Sequence, residues 1–215
     1  MAKKKEEVKV LNIESAIKHM KIYIEGDGDL ILNKMSNAAK RVLDKTEPDV
    51  FKKNPNKWEH LITSVHWEKT PQIADSYHDC DEEMMTDLLK NNRPCITSFG
   101  LKQSFGQAIV RNKIDNYRTN FDVALNVIPT NGLIPIQFDS WSPEERFMDP
   151  QKGSPVKVWL NHFHNWSAAF QVDYFDHVYT QDMLINFINL AGFGLGIGSG
   201  RSSGYGRYHI VKVEG

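Results

Sequence analysis

The residues whose types and spacing best suit a chemical role lie in one glycine-rich segment. Seven of the 14 glycines fall between positions 192 and 206, and Arg201 and Arg207 accompany them. Backbone N–H groups in such a segment, together with guanidinium groups, can hold the oxygens of a phosphate. A neighbouring tyrosine, Tyr205 or Tyr208, can stack on a nucleic-acid base. The segment therefore suits contact with a phosphate-bearing chain.

The segment does not match the common nucleotide-binding loops. No Gly-Lys-Ser/Thr closes it, as a P-loop requires, and it follows a predicted helix and precedes a predicted strand, the reverse of the dinucleotide fingerprint. In the phosphate-binding interpretation, Gly198 and Gly200 allow a nucleic-acid backbone to approach closely. An alternative stays open in which the glycines serve a tight crossing or a bulge at a sheet edge.

Histidines form a second candidate group. His162 and His164 share one face of a predicted strand and could form half of a metal site, but no third ligand is recognisable, so we predict no metal. A packed or polar surface pair is the favoured interpretation, and no residue is assigned as catalytic.

Length and composition limit the class of protein. A chain of 215 residues, 40% hydrophobic and 25% charged, predicts one domain over residues 1–215. The formal charge of −1 excludes a general polycation, so any anion site must be local. No apolar run could span a bilayer, and Met1–Glu7 does not suit a signal peptide, which predicts a cytoplasmic protein without a membrane partner. The spacing of Cys80 and Cys95 predicts neither zinc nor a disulfide.

The elements of the first half follow from hydrophobic spacing and turn residues. Residues 20–32 predict a hairpin around Gly26-Asp27-Gly28, and Ser36 is expected to cap a helix. Residues 47–67 predict an irregular insertion with a strand at 61–67. The acidic stretch 72–89 predicts an exposed helical start followed by apolar residues directed inward; a solvated face is favoured over a metal or partner surface.

The elements of the second half place the basic candidates. Ser98 is expected to open a helix that buries one face and leaves Lys102 and Arg111 on the other. The remaining predictions are strands at 123–128 and 133–138 joined by an Asn-Gly hairpin turn, a loop at 141–155, strands at 156–166 and 168–175, a helix capped by Thr180 and ending at Gly192, and a strand at 208–213.

This order of elements predicts the fold class. Strand, helix, strand pair, helix and strand predict an α+β, ferredoxin-like antiparallel sheet with helices on one face. Small insertions are expected near 47–75 and 140–155. The open face of such a sheet is a familiar platform for nucleic acid.

Two parts of the chain resemble a known family. The run from Trp166 through the glycine-rich segment to Tyr208, and the segment Pro94–Ala108, are similar to bacteriophage-encoded relatives of the backbone subunits of CRISPR effector complexes, the RAMP superfamily. The resemblance implies an RRM-like ferredoxin fold, binding of RNA or single-stranded DNA, and side-by-side homo-oligomers. Backbone subunits usually carry a long thumb-like insertion, and the candidate insertions here are modest.

Residues and resemblance together predict a function. We expect nonenzymatic binding of RNA or single-stranded DNA, without a cofactor, by a phage-encoded RAMP-like protein in the host cytoplasm. The expected contacts are Lys102, Arg111, Gly198, Gly200, Arg201, Tyr205 and Arg207. Two alternatives stay open. The first is a metal-independent RAMP-type endoribonuclease; the resemblance implies that it would use His162, His164 or His209 as general acid or base, with Lys102 or Arg201 stabilising the transition state. The second is a CRISPR-subunit mimic or inhibitor that acts through protein contacts, for which the acidic run 75–87 is the local hint.

Overall fold

The chain forms two antiparallel sheets with helices packed against the larger one. The computed structural model describes residues 16–148 and 156–215. The strands there are β1 Ile17–Gly26, β2 Leu30–Leu32, β3 His66–Trp67, β4 Pro94–Thr97, β5 Leu125–Ile128, β6 Leu133–Gln137, β7 Ser140–Met148, β8 Val156–His164, β9 Ser167–Phe175 and β10 Tyr208–Glu214. The helices are α1 Asn37–Leu43, α2 Asp49–Lys53, α3 Lys57–Thr63, α4 Glu82–Asn91, α5 Ser98–Arg111, α6 Arg118–Ala124 and α7 Gln181–Gly194, with a short 3-10 turn at Arg201–Ser203.

The larger sheet has the strand order β10-β1-β9-β6-β4-β3, and β5 pairs with the other half of β9. Its neighbouring strands are antiparallel. Along the chain, β1, α5, the successive strands β5 and β6, β9, α7 and β10 form a strand-helix-strand-strand-helix-strand unit. With β1 and β9 central, this is the ferredoxin-like arrangement. The predicted α+β class is confirmed.

The core of this unit follows from the period of its elements. On β1, Met20, Ile22 and Ile24 alternate inward and are almost fully buried. Most of the apolar residues predicted for the helix faces are buried as well: Leu101, Phe105, Ala108 and Ile109 on α5, and Leu184, Phe187, Ile188 and Ala191 on α7. Met183, also predicted for the buried face of α7, is 41% exposed in the first turn of the helix. Thr97 caps α5, accepting from the N–H of Gly100, and Thr180 caps α7, accepting from the N–H of Met183. Both helices therefore cover one face of the sheet.

The smaller sheet has the order β2-β8-β7, and it corrects the first predicted hairpin. Residues 20–32 form two strands, but β1 pairs with β9 and β10, whereas β2 pairs with β8. Leu30, Ile31 and Leu32 are all buried, so β2 needs neighbours on both faces and cannot be the half-exposed arm of a hairpin.

The Asn-Gly hairpin prediction is also wrong. The turn is present, since the N–H of Gly132 donates to the Pro129 carbonyl oxygen at 3.0 Å. However, β5 and β6 do not pair with each other; both pair with β9, one after the other. A turn sets only the local path of the chain, so it does not decide which strand β5 and β6 pair with. For both of them that partner is the long strand β9.

Three further predictions are corrected. Residues 57–63 form α3, capped by Asn56, where a strand from 61 was expected, and only His66 and Trp67 are extended. Residues 140–148, predicted as part of a loop, form the strand β7. This strand lies at the edge of the smaller sheet, where the missing backbone N–H of Pro143 is tolerated. Residues 149–155 of that predicted loop, like Met1–Glu7, lie outside the described residues. The last predicted helix continues past Gly192 to Gly194.

The prediction that Ser36 caps a helix is confirmed. Ser36 caps α1, since its Oγ accepts from the N–H of Ala39 at 3.2 Å. Cys80 and Cys95 are free thiols, and burial raises their pKa values to about 12 and about 11. Both thiols therefore stay protonated and unreactive at neutral pH.

None of the helices in the described parts of the chain is long and apolar enough to cross a membrane.

A buried ion cluster holds the segment between β1 and α5 together. The Arg41 guanidinium donates to both carboxylate oxygens of Glu59, at 2.6 and 2.9 Å, and also pairs with Glu47. The side chains of Glu59 and Glu47 are 1% and 4% exposed. These carboxylates hold the pKa of Arg41 above its usual range, Glu59 more than Glu47. Because buried carboxylates are costly without a partner, this arginine fixes α1 against α3.

We expect Arg41→Met to lower the free energy of unfolding by about 3–5 kcal/mol, because it leaves two buried carboxylates unpaired. Urea denaturation measures the loss. The matched control is Arg93→Met, whose exposed pair with Glu68 contributes less than about 1 kcal/mol. Equal losses in the two variants would contradict the assigned role of Arg41.

Candidate nucleic-acid interface

Residues 195–207, here called the glycine loop, connect α7 to β10 and pack against β2. The N–H of Ile197 donates to the Gly206 carbonyl at 2.9 Å, so the loop closes on itself. The N–H of Ser199 donates to the Ile31 carbonyl, and that of Gly206 to the Asp29 carbonyl, both at 2.8 Å. The loop is therefore a fixed crossing between the two sheets, and these three N–H groups are not available to an anion.

Close backbone contacts require glycine at the crossing. Gly196, Gly198 and Gly206 have φ of +69°, +75° and +68°, a conformation that L side chains rarely adopt. A Cβ at Gly196 would lie 2.6 Å from the Gly206 carbonyl oxygen, and one at Gly198 would lie 2.5 Å from that of Ile31. A Cβ at Gly206 would overlap the Ile197 carbonyl. The alternative of a tight crossing thus accounts for these three positions.

The tip of the glycine loop is different, because it is exposed. Gly200 and Gly204 lie in the left-handed region on either side of the 3-10 turn Arg201–Ser203. The Arg201 side chain points into solvent, and Arg207 Nη2 lies 3.4 Å from the Arg201 carbonyl oxygen. Predicted residues Gly200, Arg201 and Arg207 therefore lie together at this end of the molecule.

Tyr205 joins the tip to a polar cluster on the smaller sheet. Its ring lies 5.4 Å from the His162 ring, edge to face, and its hydroxyl accepts from Arg146 Nη2 at 3.3 Å. Arg146 also pairs with Glu144 at 2.5 Å. Arg146, and then His162, hold the pKa of Glu144 below its usual range. The cluster thus places a guanidinium, an imidazole and a phenol beside the loop tip.

The histidines with a predicted catalytic alternative are engaged by the protein. His162 is 6% exposed, with Nδ1 3.4 Å from Asp29 Oδ2 and Nε2 2.6 Å from Glu144 Oε2. His164 contacts Asp29 through Nδ1 at 2.7 Å and Ser142 through Nε2 at 2.8 Å. His162 and His164 therefore hold β2 and β7 on either side of β8.

His209 lies apart from this pair. Its Nδ1 is 2.6 Å from Asp27 Oδ1 at the end of β1, and the side chain is 53% exposed. In residues 16–148 and 156–215, no three His, Cys, Asp or Glu side chains are placed to hold a metal ion.

The basic residues predicted on α5 are separate from the loop tip. Lys102 Nζ donates to the Asp122 carbonyl at 2.7 Å and to Asn126 Oδ1 at 3.0 Å, and burial lowers its pKa. Ser104, on another side of the helix, donates to the Gly196 carbonyl at 3.0 Å. Lys102 thus faces α6 and β5, whereas the loop packs beside Ser104. Arg111 lies exposed in the last turn of α5.

The arginines divide into two groups by their partners. Four pair with carboxylates: Arg41, Arg93, Arg118 and Arg146. In the described parts of the chain, Arg111, Arg201 and Arg207 have no carboxylate within ion-pair distance, and one buried nitrogen of Arg207, Nη1, has no acceptor. A guanidinium without an internal counterion can pair with an external anion where it is exposed, as those of Arg111 and Arg201 are; the Arg207 side chain is half-buried.

On the open face of the larger sheet, the ring of Tyr23 lies between two lysines. Lys21 Nζ and Lys212 Nζ lie 5.1 and 5.3 Å from the centre of that ring. The Tyr23 hydroxyl donates to Glu214 at 2.8 Å, and His19 contacts Asp173 across the sheet. Because charges of both signs are paired on this face, it is a weaker platform for a polyanion than the loop tip.

Sequence reasoning missed Asp29, Glu144 and Arg146. The sequence predicts a polar loop around Glu144 and Arg146, because an edge strand with one face in water has no regular apolar alternation. Asp29 lies in a Gly-Asp-Gly turn, where aspartate is common for local reasons. No signal in a single sequence pairs these residues with histidines more than ten positions away.

The acidic run 75–87 has local structural roles. Asp81 caps α4, accepting from the N–H of Met84 at 2.8 Å, and Asp79 accepts from the N–H groups of Ala74 and Asp75. Glu82 and Glu83 lie in the first turn of α4, where the helix dipole favours negative charge. As predicted, Met85 and Leu88 point inward from this helix.

Strand order and helix placement define an α+β protein built on a ferredoxin-like unit. No family model matches the sequence, and the search of curated proteins also finds no match. Among solved structures, a chain in the cryo-EM structure of the Type III-B Cmr-beta bound to cognate target RNA has a TM-score of 0.45 and 10% identity. That alignment covers 94% of this chain and 61% of the other, so this chain spans about three-fifths of that neighbour.

A second similar structure is Cmr6 from Pyrococcus furiosus. It has a TM-score of 0.35 and 14% identity, with 90% of this chain and 98% of that chain covered. At these scores the likeness is one of general arrangement and assigns neither a family nor a function.

Alanine variants of the loop glycines separate two effects, the cost of a positive φ and the steric clash of an added Cβ. At Gly206 φ is positive and an added Cβ would clash with the backbone, so we expect Gly206→Ala to destabilise the fold by more than about 2 kcal/mol. Gly204→Ala has φ +90° but open space, and should cost about 1–2 kcal/mol. Gly28→Ala, with open space and no positive φ, is the control and should be close to neutral. Thermal unfolding gives the order, and a neutral Gly206→Ala would contradict the fixed crossing.

Proposed function

We propose that this protein binds RNA or single-stranded DNA, without cleaving it, at the exposed tip of the glycine loop. Arg201 and Arg207 would contact phosphates, Tyr205 would lie beside a base, and Gly200 would let the strand approach. Membership of the RAMP superfamily, an origin in a bacteriophage, a place in the host cytoplasm and side-by-side homo-oligomers belong to the same proposal, and rest on the sequence resemblance.

The observation that carries the proposal is the pairing of the arginines. A protein of net charge near zero that neutralised all its cations internally would have nothing to offer a polyanion. Among the described residues, the guanidiniums without a carboxylate partner belong to Arg111, Arg201 and Arg207, which are the three arginines predicted from sequence to contact phosphate. Two of them lie together at the tip, where phosphates can replace the missing counterions.

The surroundings of Tyr205 support a binding role for the tip. Arg146 lies 5.6 Å from the centre of its ring and donates to its hydroxyl, so the ring is held in place before a ligand arrives. A base stacked on a held ring can contribute about 1–3 kcal/mol. Tyr208, the sequence alternative for stacking, is 1% exposed and belongs to the core.

Binding is favoured over cleavage because of the histidine environments. A general acid or base must reach the proton it transfers. The ring nitrogens of His162 and His164 each face a protein group, and the His162 ring is buried. These contacts support a structural role for both imidazoles.

We expect the double variant Arg201→Ala, Arg207→Ala to weaken binding of a labelled single-stranded RNA by about tenfold or more, because two phosphate contacts are lost. Fluorescence polarisation at several salt concentrations measures it. With two phosphates neutralised, the wild-type slope of log affinity against log salt should be about −1.4, and each lost contact should reduce its magnitude by about 0.7. Labelled single-stranded DNA in parallel gives the preference between the two.

Matched variants define the extent of the site. Arg93→Ala, which removes an exposed arginine paired with Glu68, should leave RNA affinity unchanged. Arg111→Ala and Lys102→Ala test whether the α5 face takes part; Lys102 should have the smaller effect, since its ammonium must first leave two internal acceptors. Equal affinity of the Arg201→Ala, Arg207→Ala variant and the wild type would rule out the proposed site.

A separate assay tests for cleavage of RNA in the presence of chelator. If the RNA is cleaved and the double variant His162→Ala, His164→Ala loses this activity, the ribonuclease alternative replaces the proposal of binding without cleavage.

A further inference from the structure

A large groove opens on the side of the smaller sheet away from the polar cluster. It has a volume of about 1060 Å³ and lies between segment 33–36, helices α1 to α3, and residues 157–159 of β8. Typical small-molecule sites occupy about 300–1,000 Å³, so this groove is at the upper limit for a compact ligand. It contains none of the residues in the proposed nucleic-acid site.

Apolar side chains in the groove remain exposed to water. Met35, Val42 and Leu43 are 51%, 52% and 66% exposed, and all three line the groove. Val42 and Leu43 lie on α1, whose single buried residue is Ala38. A short helix that buries one alanine and exposes its larger apolar residues in a groove has an apolar face without a partner among residues 16–148 and 156–215.

Basic residues surround this apolar surface. Lys34, Lys52, Lys53 and Lys157 line the groove, and the one carboxylate among its lining residues is Glu47, which is held by Arg41. Lys52 and Lys157 have exposed partners, Asp49 and Glu145, whereas Lys34 and Lys53 have no carboxylate partner in residues 16–148 and 156–215. The groove therefore favours an occupant that is apolar on one side and negatively charged at its edges.

The aromatic residues of the groove argue against single-stranded nucleic acid as that occupant. Phe51 already stacks on Tyr77, with ring centres 3.9 Å apart. Trp159 is 7% exposed and packs near His60, with ring centres 5.3 Å apart. Bases would find aliphatic side chains where stacking requires a free ring. Aliphatic anchors of a peptide, in contrast, match this surface.

We propose that this groove is a docking site for an acidic amphipathic segment of a partner protein, with its apolar residues on Met35, Val42 and Leu43 and its carboxylates near Lys34 and Lys53. The site is independent of the proposed function, because it shares no residue with the glycine loop. The protein would then hold a nucleic acid at one surface and a protein segment at another.

The test uses a fluorescein-labelled peptide of about 16 residues with leucines at helical spacing of three and four and glutamates elsewhere. We expect saturable binding to the full chain in fluorescence polarisation. Leu43→Asp should weaken it by about tenfold or more; Val123→Asp, also an exposed apolar residue on a short helix at 76% exposure, is the matched control and should not. Lys34→Glu, Lys53→Glu should weaken it similarly, and Lys90→Glu on α4 should not.

Four outcomes would overturn this proposal. They are no binding of the acidic peptide, equal binding of the same peptide with glutamines for glutamates, displacement of the peptide by single-stranded RNA, and a concentration-dependent dimer of the wild type that Leu43→Asp abolishes. The third would make the groove a nucleic-acid site, and the fourth would assign it to a second copy of the chain. Arg201→Ala, Arg207→Ala should retain peptide binding, so failure of either proposal can be told from failure of the other.

Discussion

The structure depends on one close backbone crossing, where the connection from α7 to β10 passes over the start of β2. Hydrogen bonds from Ser199 to Ile31 and from Gly206 to Asp29 join the connection to a strand of the other sheet. The approach of main chain to main chain is possible because glycines lie at the contact. The crossing thereby fixes the two sheets relative to each other and holds Tyr205 beside His162.

The crossing explains how a nearly neutral chain can present a local positive surface. Four of the seven arginines are matched within the protein, among them Arg41 with buried Glu59, and Arg146 with Glu144. The exposed turn that follows the crossing carries Arg201 and leads to Arg207, and neither meets a carboxylate in the described residues. Net charge is therefore a poor guide to this molecule, and the distribution of counterions is a better one.

The smaller sheet serves both proposed surfaces. β2 contacts the glycine loop through Ile31, and the chain following it enters the groove at residue 33. β8 supplies His162 beside Tyr205 and, nearer its start, Trp159 in the groove. The Arg41 cluster determines how α1 lies on α3, and so it shapes one wall of that groove. The two surfaces are separate in their residues but share the same strands.

Much of the ferredoxin-like unit could be predicted from the sequence, because its helices and strands carry regular apolar spacing and recognisable caps, as in Phe105 on α5 and Thr180 before α7. The choice of Arg111, Arg201 and Arg207 as phosphate contacts also comes from the sequence, since residue types are local information, and it stays a prediction. Tertiary structure alone decided the strand partners, the burial of His162, the internal bonds of Lys102, and the use of the glycines for a crossing between sheets. The physical reason is that turn and period signals describe a few neighbouring residues, whereas pairing, burial and charge matching are set by groups far apart in the chain, such as Asp29 and His162.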